Sequence, residues 1–317
     1  MKKIYNRRQF LRVAASAGIA TLIVPTAIGL MSSKEDEEIR LTILSTNDVH
    51  SRIDPFPAND KRNAGMAGFA RRATMVKEIR EQEENVLLFD AGDIFQGTPY
   101  FNMYGGEVEF KLMSEIGYDA ATMGNHDFDN GLEGFKKQLP HAKFPFICSN
   151  YDFSNTILNG ETKPYHIIEK GGLKIGVIGV GVEMDGLISK KNYGKAIYLD
   201  PIEKANEYAE ILKKQECDYI ICISHLGHSY KQHKKRKKVS DIILAANSRN
   251  IDYIIGGHTH TFLDQPVEVF NIDNQKVLVS QAGWGGILLG RLDIVFSKAT
   301  KDKISLIYTP KKVRSQV

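Results

Sequence analysis

The sequence predicts an α/β fold in which one domain occupies most of the chain. Short apolar runs alternate with amphipathic stretches from about residue 39 to residue 317, and this alternation is typical of α/β proteins. Hydrophobic residues make up 42% and charged residues 25%, proportions that exclude a disordered or collagen-like chain. No internal repeat and no low-complexity linker divides this region. We therefore assign residues 39–317 to a single domain.

The strands are predicted where four to seven mostly apolar residues lie between polar or glycine-containing segments. The predicted strands are Arg40–Thr46, Asn85–Ala91, Ala120–Met123, Pro145–Ser149, Leu173–Gly179, Asp218–Ser224, Asp252–Gly256, Lys276–Ser280 and Arg291–Phe296. The helices are predicted where apolar residues recur at intervals of three and four, in Gly68–Gln82, Glu107–Ile116, Leu132–Gln138, Ile202–Gln215 and Val239–Ala246. Short connections that contain glycine, such as Trp284-Gly285-Gly286, predict that the later strands are antiparallel.

The N-terminus has the pattern of an export signal: a basic start, an apolar middle and a polar exit. Arg7 and Arg8, followed by Phe10 and Leu11, resemble a twin-arginine signal, and 19 uncharged residues follow at positions 13–31. We assign residues 1–31 to this signal and expect a periplasmic or cell-envelope protein. The alternative is an uncleaved membrane anchor, against which Pro25 and several small residues argue.

Charge gives no reason to expect a nucleic-acid partner. The formal net charge is +4, but residues 1–31 carry five basic residues and no acidic one, which leaves −1 for the rest. One dense basic run, Lys231–Lys238, is either a solvated loop or a contact for an anionic substrate, partner or envelope polymer. The three cysteines lie in apolar runs and are predicted to be buried free thiols rather than a disulfide framework.

Polar residues that bind metals in other proteins follow five of the predicted strands. They lie in the segments Asn47–His50, Asp90–Asp93, Gly124–Asp129, Ser224–His225 and Gly256–His260. The loops beyond the carboxyl ends of strands in an open α/β sheet gather in one crevice. We therefore expect these segments, distant in sequence, to meet in space.

The residue types in these loops predict the kind of metal. Asp, His and Asn offer oxygen and nitrogen donors without thiolate, which suits Mn, Fe or Zn. Asp48 and His50 lie two apart on a segment that leaves a strand, so both can face the same side, and His258 and His260 share this spacing. Asp93 can use its two oxygens to bridge two ions. Seven ligands with one shared fit two divalent ions at roughly 3.5–4 Å from each other.

The ordered set D-x-H, G-D, G-N-H-D, a strand-end His and G-H-x-H resembles the calcineurin-like metallophosphoesterase superfamily. Within that superfamily, residues 46–50, 124–129 and 256–260 resemble the 5′-nucleotidase branch. The resemblance covers about residues 40–297. It implies a metallophosphoesterase catalytic domain folded as a four-layer α/β/β/α sandwich of two mixed sheets.

The resemblance also implies a role for each motif residue. One ion would be held by Asp48, His50, Asp93 and His260, and the other by Asp93, Asn125, His225 and His258. His126 would face the phosphate as a catalytic residue rather than a ligand, and Asp129 would orient its ring. The family usually has Glu where this chain has Asp127, and we expect this change to be tolerated because the position is not a ligand.

The function implied is that of an exported phosphoric-ester hydrolase with a dinuclear metal centre, namely a 5′-nucleotidase-like phosphomonoesterase. A hydroxide that bridges the two ions would attack phosphorus in line. A phosphodiesterase or a sulfur-ester hydrolase on the same scaffold is an alternative. A metal-stabilised binding subunit without turnover is another, and His126 and Asp129 argue against it.

Members of the 5′-nucleotidase branch commonly carry a second, C-terminal domain that contacts the base and the phosphate. This sequence ends about twenty residues after the last predicted strand. We therefore expect the chain alone to discriminate poorly between phosphate esters. We also expect that a separately encoded specificity domain supplies nucleotide selectivity in trans.

Overall fold

Two mixed β-sheets pack face to face in the computed structural model, which describes residues 37–231 and 238–314. The predicted export signal and residues 232–237 of the basic run lie outside the described residues. The strands are β1 (Glu38–Thr46), β2 (Val86–Asp90), β3 (Ala120–Ala121), β4 (Tyr151–Asp152), β5 (Tyr165–Lys170), β6 (Leu173–Gly181), β7 (Ile197–Tyr198), β8 (Tyr219–His225), β9 (Tyr253–Gly256), β10 (Val267–Phe270), β11 (Lys276–Gln281), β12 (Leu288–Ser297), β13 (Lys303–Tyr308) and β14 (Lys311–Lys312).

The α-helices are α1 (Phe69–Gln82), α2 (Pro99–Tyr104), α3 (Glu107–Ile116), α4 (Gly131–Gln138), α5 (Lys190–Tyr193), α6 (Pro201–Lys214) and α7 (Asp241–Ala246). Short 3₁₀ helices cover His126–Phe128 and Leu139–His141. Helix α6 shows why these segments begin where they do. The side chain of Asp200 accepts the N–H groups of Ile202 and Glu203, and Pro201 occupies the first turn, where its missing N–H costs nothing.

The first sheet has the strand order β13-β12-β1-β2-β3, with β14 paired to β12, and the second has the order β10-β11-β9-β8-β6-β5. In the first sheet β1, β2 and β3 are parallel to each other, while β12 is antiparallel to β1. In the second sheet β6, β8, β9 and β11 are parallel. The carboxyl ends of these parallel strands carry the loops that the sequence analysis singled out.

The core has three layers of side chains, because successive residues of a strand point to opposite faces. In β8, Tyr219, Ile221 and Ile223 pack between the two sheets, whereas Ile220 and Cys222 pack on the other face. That other face is covered by α6 and α7, while α1, α3 and α4 cover the outer face of the first sheet. The four-layer α/β/β/α sandwich predicted from the sequence is therefore confirmed.

One strand prediction was wrong, and the prediction of antiparallel later strands holds only in part. Residues 145–149 form no regular strand, because the segment crosses between sheets: Ile147 N–H donates to Ala121 O of the first sheet and Ser149 N–H donates to Gly179 O of the second. The expectation of antiparallel later strands holds for β12 and for the pair of β10 and β11, but β11 is parallel to β9. The three cysteines are buried and free, as predicted.

Among residues 37–231 and 238–314, no helix combines the length and the apolar character that a membrane crossing needs.

Candidate metal centre

The structure brings all seven predicted ligands to the carboxyl ends of the parallel strands. Asp48 and His50 follow β1, Asp93 follows β2, and Asn125 follows β3, all in the first sheet. His225 ends β8, and His258 and His260 follow β9, both strands of the second sheet. The centre therefore lies where the two sheets meet, and each sheet supplies part of it.

One cluster consists of Asp48, His50 and His260, whose nitrogen and oxygen ligand atoms lie within 4.8 Å of one another. The His260 Nε2 atom is 3.3 Å from Asp48 Oδ1 and 3.0 Å from His50 Nε2. Asp48 is fully buried, whereas the side chain of His260 is 41% exposed. One side of this cluster is therefore open to solvent.

A second cluster consists of Asp93, His225 and His258, with ligand atoms again within 4.8 Å of one another. His225 Nε2 lies 3.2 Å from Asp93 Oδ2. The same Asp93 oxygen is 3.9 Å from His50 Nε2 of the first cluster. Asp93 thus lies between the two clusters, as a bridging carboxylate would.

Two buried polar atoms in the described structure fit a metal site. Asn125 Oδ1 is buried and makes no hydrogen bond, and the buried His225 Nε2 has no partner in hydrogen-bond geometry although Asp93 Oδ2 lies 3.2 Å away. Polar atoms buried in proteins are normally paired, because an unpaired one costs about 1–3 kcal/mol. The other nitrogen of His225, Nδ1, is 2.6 Å from Ala91 O, so the backbone fixes the ring with Nε2 toward Asp93. An amide oxygen and an imidazole nitrogen are both ligands of Mn, Fe and Zn.

The electrostatics of the centre favour a cation. Burial lowers the pKa of His225, but the Asp93 and Asp48 carboxylates outweigh it and raise that pKa to about 10. Burial also acts to raise the pKa of Asp93, yet the neighbouring His225 and His50 hold it below its ordinary value. Two buried carboxylates therefore place negative charge at the point where the clusters meet.

Five of the seven predicted ligands have a left-handed backbone, which is uncommon for residues other than glycine. The φ angles are 51° at Asp48, 50° at His50, 55° at Asp93, 70° at His258 and 52° at His260. Each such residue costs of order 1–3 kcal/mol, and this kind of strain is found mostly at functional sites. Backbone hydrogen bonds stabilise the left-handed conformation of the first loop: Asp48 N–H donates to Gly92 O, and His50 N–H donates to Asp93 O.

Two glycines allow the loops to approach closely. A Cβ atom on Gly124 would lie 2.2 Å from Asp93 Oδ1, and one on Gly257 would lie 2.9 Å from both His225 Nδ1 and Ala91 O. These distances are shorter than any van der Waals contact. The glycines of G-N-H-D and G-G-H-T-H are thus needed for the ligands of neighbouring strands to pack together.

The predicted catalytic pair lies beside the two clusters but in neither of them. His126 Nδ1 is 2.9 Å from Asp129 Oδ2, and the His126 ring centre is 5.3 Å from that of His50. The hydrogen bond to Asp129 outweighs burial and raises the pKa of His126. The His126 side chain is 40% exposed. The ring therefore has one nitrogen held by Asp129 and an open side toward solvent.

Asp127 has a larger structural role than the sequence analysis assigned to it. Its carboxylate is fully buried and accepts the N–H groups of Asp93, Ile94, Phe95 and Gly124 at 2.8–3.1 Å. Burial and the nearby Asp93 raise its pKa to about 7, against the effect of the four donors. Asp127 thus fixes the loop after β2 to the loop after β3.

Asn47 and Gln281 also hold the site loops, and the sequence analysis missed both. The Asn47 amide donates to Asp48 Oδ2 at 2.7 Å and to Gly283 O at 2.6 Å. The Gln281 amide donates to Gly257 O at 2.6 Å and accepts the N–H of Thr261. Both are buried amides at strand ends. The only signal in the sequence is an amide side chain at the end of a strand. Such a residue can bind a metal or fix a loop through hydrogen bonds, and the sequence does not distinguish the two.

The two-sheet sandwich thus places two candidate metal-binding clusters side by side at its strand ends. A family model of the calcineurin-like phosphoesterases matches residues 41–262. The chain therefore belongs to the calcineurin-like phosphoesterase family. The family and the enzyme class predicted from the sequence are both confirmed.

The relatives found include 5′-nucleotidases from distant organisms. The chain is 35% identical to a snake venom 5′-nucleotidase of Crotalus adamanteus over 277 residues, which is 81% of this chain and 45% of that protein. It is 32% identical to a 5′-nucleotidase of Vibrio cholerae over 326 residues, which covers 96% of this chain and 58% of that protein. The chain thus spans about half the length of the curated relatives it matches.

The fold agrees with solved structures. The crystal structure of a 5′-nucleotidase precursor from Thermus thermophilus superposes with a TM-score of 0.77 at 30% identity. The superposition covers 86% of this chain and 54% of that one. These relatives are 5′-nucleotidases, which is the branch that the motifs predicted.

Proposed function

We propose that this protein is a 5′-nucleotidase-like phosphomonoesterase that depends on two divalent metal ions, Mn, Zn or Fe. The observation that carries the proposal is the pair of adjoining ligand clusters around Asp93, with the His126–Asp129 pair beside them. The 5′-nucleotidases among the relatives support a nucleotide as the substrate.

The ligand geometry fits the assignment made from the motifs. Asp48, His50, Asp93 and His260 would hold one ion, and Asp93, Asn125, His225 and His258 would hold the other. The bound ions would lower the pKa of a water molecule and offset negative charge on the phosphoryl oxygens. The left-handed loops and the carboxylate of Asp127 would keep the ligands in place before the substrate binds.

His126 would act on the substrate directly. Because Asp129 holds Nδ1, the Nε2 atom is the one available to a phosphate ester. It would donate a hydrogen bond to a phosphoryl oxygen or a proton to the leaving alkoxide. Asp129 is then a positioning residue, which fixes the ring and its tautomer.

A screen for released product tests the proposal and its alternatives. Protein freed of metal and reconstituted with Mn, Zn or Fe is incubated with nucleoside monophosphates, sugar phosphates, phosphodiesters and sulfur esters. We expect phosphate release from AMP to exceed product release from diesters and sulfur esters, and a chelator to abolish it. A preference for diesters or sulfur esters would establish the alternative hydrolase, and no turnover of any ester would establish a binding subunit.

We also propose that residues 1–31 direct export through a twin-arginine route. The support is the sequence pattern of Arg7, Arg8, Phe10 and Leu11 before an uncharged stretch. The test fuses these residues to a folded reporter in a bacterium that has this route. Changing Arg7 and Arg8 together to Lys should keep the reporter inside the cell, and unchanged export would contradict the proposal.

A separately encoded specificity domain is the remaining proposal from the sequence. The support is that the match covers only 45–58% of the curated relatives mentioned above. Such a second protein would dock on this chain and contact the organic group of the substrate. Kinetics on AMP with and without proteins recovered by a pull-down test it. A gain in AMP selectivity is expected, and no gain with any recovered protein would contradict it.

A further inference from the structure

Glu109 is a buried acid in helix α3 that reaches one of the metal-ligand loops. The residue is completely buried, although glutamate is rarely buried in proteins without a partner. Its Oε1 atom forms a hydrogen bond with the hydroxyl of Ser51, the residue that follows the predicted ligand His50. Its Oε2 atom is buried and has no hydrogen-bond partner in the described structure. The contact with Ser51 therefore connects a helix on the outer face of the first sheet to the candidate metal centre.

The loop that Glu109 contacts has an uncommon backbone. His50 and Ser51 are consecutive residues with φ angles of 50° and 54°, both in the left-handed region. This region is costly for residues other than glycine, so the loop keeps it only where neighbouring contacts hold it. Ser51 N–H donates to Ile94 O at 2.8 Å, and the Thr98 hydroxyl donates to Ser51 O at 2.7 Å. The position of His50 thus depends on the contacts that Ser51 makes.

Three oxygen–oxygen contacts around Ser51 need three protons. The Thr98 hydroxyl donates to Ser51 O, the Ser51 and Thr98 hydroxyl oxygens lie 2.8 Å apart, and Ser51 Oγ contacts Glu109 Oε1. The two hydroxyls supply only two protons. If Glu109 were ionised, one of these three pairs of oxygens would lie in contact without a proton between them. A neutral Glu109 supplies the third proton, and all three contacts are then hydrogen bonds.

The surroundings of Glu109 favour the neutral acid. Burial raises the pKa of Glu109, and hydrogen bonds with Ser51 and with its own backbone N–H counteract this effect only in part. No charged side chain of the described residues contributes to the shift. The next residue, Phe110, stacks on Phe95 in the apolar core, with ring centres 4.9 Å apart. A carboxylate in this place would be a buried charge without a cation beside it.

We propose that Glu109 is a neutral carboxylic acid that donates to Ser51 and thereby positions His50 for metal binding. The hydrogen bonds run from Glu109 to the Ser51 hydroxyl, from that hydroxyl to Thr98, and from Thr98 back to Ser51 O. Glu109 is a positioning residue, because it acts on the metal centre through Ser51 and belongs to neither ligand cluster. The inference rests on the proposed function in one respect, namely that His50 binds a metal ion.

Infrared spectroscopy on the metal-free protein tests the protonation state. An ordinary glutamate is ionised at pH 6, whereas a neutral Glu109 retains the carbonyl stretch of a carboxylic acid. The difference spectrum between wild type and Glu109→Gln separates this band from those of other protonated acids. We expect the difference spectrum to show the loss of a carboxylic acid band. Loss of a carboxylate band instead would overturn the proposal.

The Mn affinity, measured by calorimetry on variants that circular dichroism shows to be folded, tests the positioning. Glu109→Leu removes the donor, so we expect Mn binding to be about 10-fold weaker, as for the loss of one hydrogen bond. Glu109→Gln retains an N–H donor for Ser51 and should bind Mn as the wild type does. Glu107→Leu is the matched control on the same helix, because the Glu107 side chain is 42% exposed and pairs with Lys111, and it should leave Mn binding unchanged. Equal affinity in Glu109→Leu and wild type would overturn the proposal.

A double-variant cycle shows whether Glu109 acts through Ser51. Ser51→Ala should weaken Mn binding to a similar degree, and the addition of Glu109→Leu should cause no further loss, because both changes remove the same contact. Additive losses would show that Glu109 supports the centre by another route and would overturn the proposal. Absence of Mn binding by the wild type would contradict the proposed function and the positioning of His50 together, while the infrared band would still establish the neutral acid.

Discussion

Asp93 and Asp127 show how two aspartates with similar burial have different tasks in this site. Asp93 directs one oxygen toward His225 and His50, while its other oxygen accepts the N–H of His126 at 2.7 Å. Asp127 directs both oxygens at backbone N–H groups. The first carboxylate is therefore available to a metal and the second is not. Candidate metal ligands and residues that fix the loops through hydrogen bonds therefore lie in the same short segments.

His126→Ala separates catalysis from metal binding. His126 contributes no atom to either ligand cluster, so metal content should stay near that of the wild type. The phosphate-release rate should fall by a factor of about 100 or more, because a positioned acid or hydrogen-bond donor is lost. Metal content is measured by mass spectrometry and kcat by phosphate release. Loss of metal along with activity would show that His126 is a ligand.

His141→Ala is the control for this variant, since His141 lies in a 3₁₀ helix apart from the site. It should keep both metal content and rate. The conservative His126→Gln should recover part of the rate if a hydrogen bond to the phosphoryl group is the main contribution. No recovery would favour proton transfer to the leaving group.

Asp127→Asn should weaken metal binding although residue 127 is not a predicted ligand. The amide keeps the shape of the carboxylate but presents N–H donors to backbone N–H groups, which leaves buried donors unpaired at about 1–3 kcal/mol each. The loops after β2 and β3 should therefore lose their fixed spacing. The measurement is the Mn affinity by calorimetry, with an expected loss of at least 10-fold.

Asp60→Asn is the matched control, because Asp60 also accepts two backbone N–H groups but does so in an exposed turn. It should leave Mn affinity unchanged. Unchanged Mn affinity in Asp127→Asn as well would show that the four hydrogen bonds do not position the ligands.

At the scale of elements, the ends of β1, β2 and β9 determine the site more than their interiors do. Each of these strands passes into a loop whose ligands have positive φ, and β2 ends in the buried Asp90. The Thr46 hydroxyl donates to Asp90 at 2.5 Å, and Gly92 N–H donates to it at 2.9 Å. Burial nevertheless raises the pKa of Asp90 to about 7 from 3.8. The end of β2 therefore contains an acid whose protonation is linked to folding.

Asp90→Asn should make the stability of the metal-free protein less dependent on pH. Between about pH 4 and pH 7 the folded protein retains a proton on Asp90 that the unfolded chain releases, so the free energy of unfolding falls as pH rises. The contribution of this group is at most about 1.4 kcal/mol per pH unit. Urea unfolding in chelator at pH 4.5 and pH 7 measures it. Equal pH dependence in variant and wild type would contradict the raised pKa.

The elements that the sequence predicted well are inner strands with two buried faces and an amphipathic helix with one. Predicted helix Glu107–Ile116 has the observed bounds, and the inner strands β1, β6, β8 and β9 lie within two residues of prediction at each end. Strands β5, β10 and β13 were missed because half or more of their residues are exposed or only partly buried and they form no apolar run. Burial creates the pattern that sequence analysis detects, so edge strands escape it.

The candidate site was predictable to a similar degree. The predicted ligand segments stand out because their His and Asp residues directly follow strands, and the structure places all seven predicted residues at the carboxyl ends of the parallel strands. The role of Asp127 and Gln281 in fixing the loops was not predicted. Hydrogen bonds from a side chain to a distant backbone group leave no recognisable spacing in the sequence.

At the level of the whole molecule, the candidate metal centre is built from residues of both sheets. Asp48, Asp93 and Asn125 belong to the first sheet and His225 and His258 to the second, so each ion would bind residues of both. A ligand that binds only the folded protein stabilises it by about 2.7 kcal/mol at one hundred times its Kd. The metals would thus couple the docking of the sheets to the assembly of the catalytic centre.

Phosphate-ester hydrolysis by this protein should depend on two metal ions that share Asp93. Metal-free protein is titrated with Mn while phosphate release from AMP is recorded after each addition. We predict no activity without metal and a rise that levels off at two equivalents per chain, and Asp93→Ala should stay inactive throughout. A plateau at one equivalent, or full activity in verified metal-free protein, would contradict the dinuclear centre.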